Sequence, residues 1–167
     1  MDTGIKPLWD RFGFNYENGQ AWEALNKIIY SKNLDLIGLH THIGTFILEP
    51  NAYRVAASKL SDLAINVKNK FKHDIQYIDM GGGFASKNTL KGSYLSGTDL
   101  APSFSDYADN ITQALLNAGF SNEDLPLLIL ETGRALIDDA GTLLGTVLAN
   151  KRSADGRRSI VMDFGVN

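Results

Sequence analysis

His40 and His42 stand two residues apart at the end of an apolar run, LDLIGLHTH at 34–42. On an extended chain that spacing puts both imidazoles on one face. Such a pair can hold a metal ion, or one histidine can simply be hydrogen-bonded inside a barrel. A second apolar run, 75–80, closes on Gly81, Gly82 and Gly83. Three residues without side chains let backbone N–H groups approach an anion closely, although ordinary turns use glycine too. A third run, 127–131, ends in Glu131-Thr132-Gly133-Arg134. These two charges can form a loop ion pair of little energetic weight, or the guanidinium can clasp a phosphate or carboxylate through two hydrogen bonds.

Helical patterns separate the three runs. Residues 19–32 place Trp22, Leu25 and Ile28/Ile29 at helical spacing. A second helix is expected over 51–71, with Pro50 at its first turn and a stripe of Ala56, Leu60, Leu63/Ala64, Val67 and Phe71. A third is expected over 103–118, on Phe104, Tyr107/Ala108, Ile111, Leu115 and Ala118, with Gly119 as its stop. Between them, 85–102 reads as a long loop, a length that usually serves function or mobility. Strands buried on both faces, alternating with helices, predict an α/β fold with a parallel sheet. The polar strand ends then gather at the carboxyl mouth of a β/α barrel, where the following loops can cradle phosphate. After Arg134 the pattern changes. TLLGTVLANK and RRSIVMDFG are β-like runs joined by a turn at Asp155-Gly156, which predicts an antiparallel hairpin. A domain boundary is therefore expected near 136, with 1–136 a partial β/α barrel and 137–167 the start of a β domain.

At 167 residues and 44% hydrophobic content the chain can bury an ordinary core. A complete eight-stranded barrel takes about 250 residues, so about three β/α units from its C-terminal part are expected, with the segment cut from something larger. A net charge of −3, with 16 Lys and Arg scattered, offers no basic field for nucleic acid or an anionic membrane. No apolar stretch reaches membrane-spanning length and no secretory leader is read, while the absence of cysteine rules out disulfides and thiolate metal sites. A cytoplasmic protein without membrane or nucleic-acid partners is the expectation.

GLHTHIGT (38–45), IDMGGGF (78–84), LILETGRAL (128–136) and MDFGVN (162–167), with TGIKPLWDRFGF at 3–14, carry a resemblance. Together they resemble the fold-type III family of pyridoxal-phosphate enzymes, most closely its diaminopimelate decarboxylase branch. The resemblance implies that His42 stacks on the pyridine ring of pyridoxal 5'-phosphate and that the Thr45 hydroxyl, where serine is commoner, helps bind the phosphate. It makes Gly81, Gly82 and Gly83 the main phosphate cradle and sets Glu131 against the pyridine nitrogen. A carboxylate there keeps the ring protonated, which makes it a better electron sink for decarboxylation. Arg134 would bind phosphate or a substrate carboxylate beside it. Thr132 stands where the family usually has proline, and Asp163 reads as a residue closing a strand-end turn.

The same resemblance puts the lysine that carries the cofactor on an early barrel strand. None of the ten lysines here follows a strand in that way; Lys87 and Lys91, after the glycines, come nearest to the mouth. The implied activity is decarboxylation of diaminopimelate or a similar basic or dicarboxylic amino acid, by a full-length homodimer, with this segment alone inactive. Three alternatives stand beside it. An amino-acid racemase of this fold commonly has arginine at the ring nitrogen, against which Glu131 argues. A metal-dependent barrel hydrolase would use His40 and His42, although the sequence sets no carboxylate cluster beside them. A non-catalytic remnant would need none of these groups.

Overall fold

The structure is a computed structural model that describes residues 1–5, 12–88 and 97–165, with the backbone alone at 97–98. Lys91, with residues 6–11 of the 3–14 segment, 89–96 of the expected loop and 166–167 of the last segment, lies outside the described residues.

Helix α1 (Gln20–Ile29) starts after Gly19, whose φ of 87° reverses the chain, and lays Leu25 into the core. Strand β1 (Gly38–His40) follows, then α2 (Pro50–Phe71), with Pro50 in the first turn as expected. The predicted stripe of α2 is buried from Ala56 to Val67, and Phe71 packs on Trp22 with ring centroids 5.8 Å apart. Strand β2 (Tyr77–Asp79) comes next, then a single turn, α3 (Gly97–Leu100), and α4 (Phe104–Leu116). A capping box starts α4: the Ser103 hydroxyl accepts from the Asp106 N–H at 3.1 Å, and Asp106 accepts from the Ser103 N–H at 2.9 Å. Strand β3 (Leu127–Ile129) leads into a short helix, α5 (Arg134–Ile137).

The three strands form one parallel sheet in the order β1-β2-β3, aligned Gly38–Tyr77–Leu127 through His40–Asp79–Ile129. Parallel pairing of runs separated by helices is the arrangement the alternation predicts. Alternate residues Leu39 and Ile78 are buried in one core with α2 and α4, while His40, one position on, is exposed. The opposite face, with Tyr77, Asp79, Leu127 and Ile129, is left partly open, and Leu127 is 67% exposed.

Strands β4 (Val147–Arg152) and β5 (Arg158–Met162) pair antiparallel as a separate two-stranded sheet. Gly156 takes a φ of 82° in their turn, which the Asp155-Gly156 signal predicts. Three local expectations need correction. The regular strands are shorter than the apolar runs, because hydrogen bonding alone defines them, yet the ladder continues through Thr41 N–H to Asp79 O and Glu131 N–H to Gly81 O, both 2.9 Å. On α4, Phe104 and Ala108 are exposed while Ala114 is buried, so the stripe leans toward the Tyr107–Ile111–Ala114–Leu115 edge. The run TLLGTVLANK is extended pairing only from Val147 onward, and α5 intervenes after Gly133.

Candidate active site

The residues singled out for chemistry sit where the parallel strands end. The glycine turn after β2 is the central piece, and its neighbours explain its composition. A Cβ on Gly81 would stand 2.5 Å from the Thr41 carbonyl oxygen, and one on Gly82 would stand 2.3 Å from that of Glu131. On Gly83 it would stand 2.1 Å from the Gly44 carbonyl oxygen. Backbone from the loops after β1 and β3 therefore presses against the turn from both sides. No side chain fits, whatever ligand the turn also holds. Gly83 adds a φ of 89°, which a side chain would strain.

Hydrogen bonds hold the three loops in register. The Gly81 carbonyl accepts from Glu131 N–H, and the Gly83 carbonyl accepts from Ile47 N–H at 2.8 Å. The Gly81 N–H donates to Asp79 Oδ1 at 2.9 Å, so that group is already committed. The N–H groups of Gly82 and Gly83 have no acceptor among the described residues. Gly82 is buried and Gly83 half-buried, so the turn reaches the surface at its last residue.

Two buried tyrosines close this region from behind. Tyr53 of α2 donates its hydroxyl to the Gly82 carbonyl at 2.9 Å and stacks on Phe84 with ring centroids 4.6 Å apart. Tyr107 of α4 meets Phe84 edge-on at 5.2 Å, donates to the Ile47 carbonyl, and accepts from Ala85 N–H at 3.4 Å. Burial pushes the pKa of both hydroxyls up, so both stay protonated donors. Further along, the buried Ser86 hydroxyl binds the Asp138 carboxylate and Asn88 Nδ2 donates to the Asp138 carbonyl at 3.1 Å. The loop after the glycines is thus tied to the segment after α5.

Of the residues the sequence singles out, His42 borders the turn: its Nδ1 lies 3.2 Å from where a Gly81 Cβ would be. Thr45 is exposed, directly after the Gly44 carbonyl that abuts Gly83. Phe46 beside it holds a φ of 55°, a conformation costing about 1–2 kcal/mol outside glycine. Glu131 is exposed at the end of β3. Arg134 is also exposed and opens α5, and among the described residues no ion pair joins it to Glu131.

One grouping escapes a reading of adjacent residues. His40 Nδ1 meets Asp79 Oδ2 at 3.0 Å, and ligand atoms of His40, Asp79 and Glu131 all lie within 4.8 Å of one another. The sequence sets no carboxylates beside His40 and His42; the sheet brings two to His40, because Asp79 is its cross-strand partner. The period-two pattern of β2 was the available signal, since it places Asp79 on the face opposite the buried Ile78. Tyr53 and Tyr107 carried no such signal beyond an apolar helix face.

This is an α/β fold with parallel strands, whose polar groups collect at the strands' carboxyl ends around a glycine turn. The chain belongs to the pyridoxal-dependent decarboxylases, whose pyridoxal binding domain matches residues 3–138. It is 30% identical over 158 residues to the diaminopimelate decarboxylase of Bacillus subtilis, covering 94% of this chain and 34% of that protein. The crystal structure of diaminopimelate decarboxylase from Methanocaldococcus jannaschii superposes with a TM-score of 0.74 at 27% identity, over 93% of this chain and 34% of that one. That of Helicobacter pylori, complexed with L-lysine, gives 0.72 at 25%, over 97% and 36%. The chain spans about a third of the length of the relatives it matches.

Proposed function

We propose that this chain supplies the phosphate and ring contacts of a pyridoxal-phosphate-dependent amino-acid decarboxylase, acting on diaminopimelate or a similar basic or dicarboxylic amino acid. The observation that carries the reading is the convergence on one glycine turn of His42, the Thr45 loop and the Glu131 strand end. The residues fit the cofactor. The N–H groups of Gly82 and Gly83, without acceptors among the described residues, suit a phosphate, and Thr45 follows directly on the Gly44 carbonyl that abuts Gly83. His42 offers a flat ring beside the turn, and Glu131 offers an exposed carboxylate on the third strand.

Bound pyridoxal phosphate supplies an electron sink for the pair released when an α-carboxylate departs. With the cofactor bound, Glu131 would hold a proton on the ring nitrogen, and His42 would offer its flat ring to the pyridine and limit water there. Arg134, exposed at the start of α5, offers a two-pronged contact to a carboxylate or phosphate. The three strand–helix units belong to the C-terminal part of a barrel, 1–136, and the β4–β5 hairpin begins a second domain, 137–167. The lysine that attaches the cofactor comes from another strand, so this segment by itself is inactive, and the full-length protein works as a homodimer.

Glu131→Gln in a full-length protein carrying this segment tests the reading. Cofactor absorbance should persist while kcat falls by about a hundredfold or more, the scale of losing one strong electrostatic contact. Near-unchanged turnover would remove Glu131 from the mechanism and with it the main reason for preferring decarboxylation.

A second reading is favoured by the grouping of His40, Asp79 and Glu131, one imidazole and two carboxylates that could take a divalent cation. It gives Glu131 a different task, so zinc and pyridoxal phosphate would compete for the chain. Additive binding of the two would separate the sites.

A further inference from the structure

Among the buried groups outside the contacts just assigned, the Tyr53 hydroxyl has the most specific partner. It reaches from the middle of the core to a single carbonyl, that of Gly82, at 2.9 Å, while its ring is fully buried and stacked on Phe84. A trans peptide is planar, with its C=O and N–H pointing in opposite directions. Fixing the Gly82 oxygen toward the core therefore turns the Gly83 N–H away from it. That N–H has no acceptor among the described residues, and Gly83 is where the turn becomes half-exposed. Glycine on both sides of this peptide leaves it free to rotate when nothing holds it.

We infer that Tyr53 is a positioning residue for an anion at the strand ends: its hydroxyl fixes the Gly82–Gly83 peptide so that the Gly83 N–H faces a phosphate group. The inference rests on the proposed cofactor only in naming that phosphate as the 5'-phosphate of pyridoxal phosphate. Tyr53 touches neither phosphate nor ring; it acts through one peptide plane. The other restraints on this stretch hold the flanking peptides: Glu131 N–H donates to the Gly81 carbonyl before it and Ile47 N–H to the Gly83 carbonyl after it, which leaves the Gly82–Gly83 plane to Tyr53. Carbonyl and hydroxyl are both buried, so water does not replace the bond when the hydroxyl is removed.

Tyr53→Phe keeps the stacked ring and deletes the hydroxyl. Inorganic phosphate titrated into the chain, followed at the Gly83 amide by NMR, should shift that resonance saturably. In Tyr53→Phe, with folding checked by thermal melting, the affinity should fall by about tenfold, the scale of one charge-assisted hydrogen bond. Tyr53→4-aminophenylalanine, which restores a donor in the same place, should return most of it. Pyridoxal phosphate should lose affinity to Tyr53→Phe in parallel, whereas pyridoxal, lacking the phosphate, should bind both proteins alike. Unchanged phosphate affinity in folded Tyr53→Phe overturns the inference. So does equal loss of pyridoxal and pyridoxal phosphate, and so does a silent Gly83 amide in the unsubstituted chain. Phosphate binding that depends on Tyr53, with no binding of either pyridoxal compound, would uphold the inference and sink the cofactor reading instead.

Discussion

The Asp79 carboxylate serves two elements at once: Oδ2 meets His40 Nδ1 at 3.0 Å across the sheet, and Oδ1 accepts the Gly81 N–H at 2.9 Å. A side chain at the end of β2 thereby couples the β1 end to the first glycine of the turn.

Asp79→Ala leaves the N–H of the buried Gly81 without its acceptor and removes the carboxylate paired with His40. The expected cost is about 1–3 kcal/mol, the range for a buried donor left unsatisfied. Urea unfolding measures it. Asp79→Asn keeps an oxygen for Gly81 and should recover part of the loss, and equal stability of all three proteins would show that the coupling carries no weight.

The glycine turn predicts a sharp contrast between two substitutions. Gly82→Ala drives a methyl to 2.3 Å from the Glu131 carbonyl oxygen, a backbone atom that cannot swing aside. It should destabilise the chain by about 3 kcal/mol or more and disturb the Glu131 position. Gly119→Ala meets nothing within 4 Å, and only its φ of 91° resists. It should cost about 1–2 kcal/mol through the left-handed backbone alone. Paired thermal melts decide between them; a larger effect at Gly119 would mean that the strand-end loops relax apart.

The parallel order of the three strands was legible because apolar runs of strand length alternate with amphipathic helices, and the glycine and Glu131 ends mark where each run stops. The hairpin was legible from Asp155-Gly156. Strand ends could not be placed by composition, because Leu34 and Ile37 are as apolar as Leu39 yet exposed, although the Ile37 carbonyl still accepts from Gln76 N–H at 2.9 Å. The His40–Asp79 pairing needs the register between β1 and β2, which no local pattern encodes. Tyr53 and Tyr107 sit on apolar helix faces, where a tyrosine reads as core filling; only the carbonyls opposite them reveal the role of the hydroxyls.

The N-terminal corner predicts an acid-sensitive contribution to stability. Glu17 accepts from the Asp2 N–H at 2.7 Å and from Lys59 Nζ at 2.8 Å. Burial opposes its ionisation, but the Lys59 and Asp2 hydrogen bonds outweigh it and hold the carboxyl down to about 2, from 4.5. A folded-state value below the unfolded one means the stabilisation is complete above pH 4.5 and is lost as pH falls toward about 2. Urea titrations from pH 6 to pH 2 should show that loss, and Glu17→Gln should flatten it. The same slope in both proteins would assign the acid sensitivity elsewhere.

Exposed apolar residues predict association. Leu127, on the third strand, is 67% exposed and Leu144 is 87% exposed. The 167-residue chain by itself should self-associate through such surface, as open strand edges and apolar patches do. Light scattering at increasing concentration checks this, and a monomer that unfolds cooperatively would show that the chain closes its own core.

The interleaving of the glycine turn between the loops after β1 and β3 bears on how the site assembles. Each of the first two strand–helix units can form its helix locally, but neither owns the site. The Gly81–Glu131 and Gly83–Ile47 hydrogen bonds both cross between units, so the two peptides flanking the Gly82–Gly83 plane are held together only when all three units have docked. Completion of the pocket therefore depends on contacts far apart in sequence. A ligand seated there would hold the three units as one cooperative body, and amides in all three would slow their hydrogen exchange together.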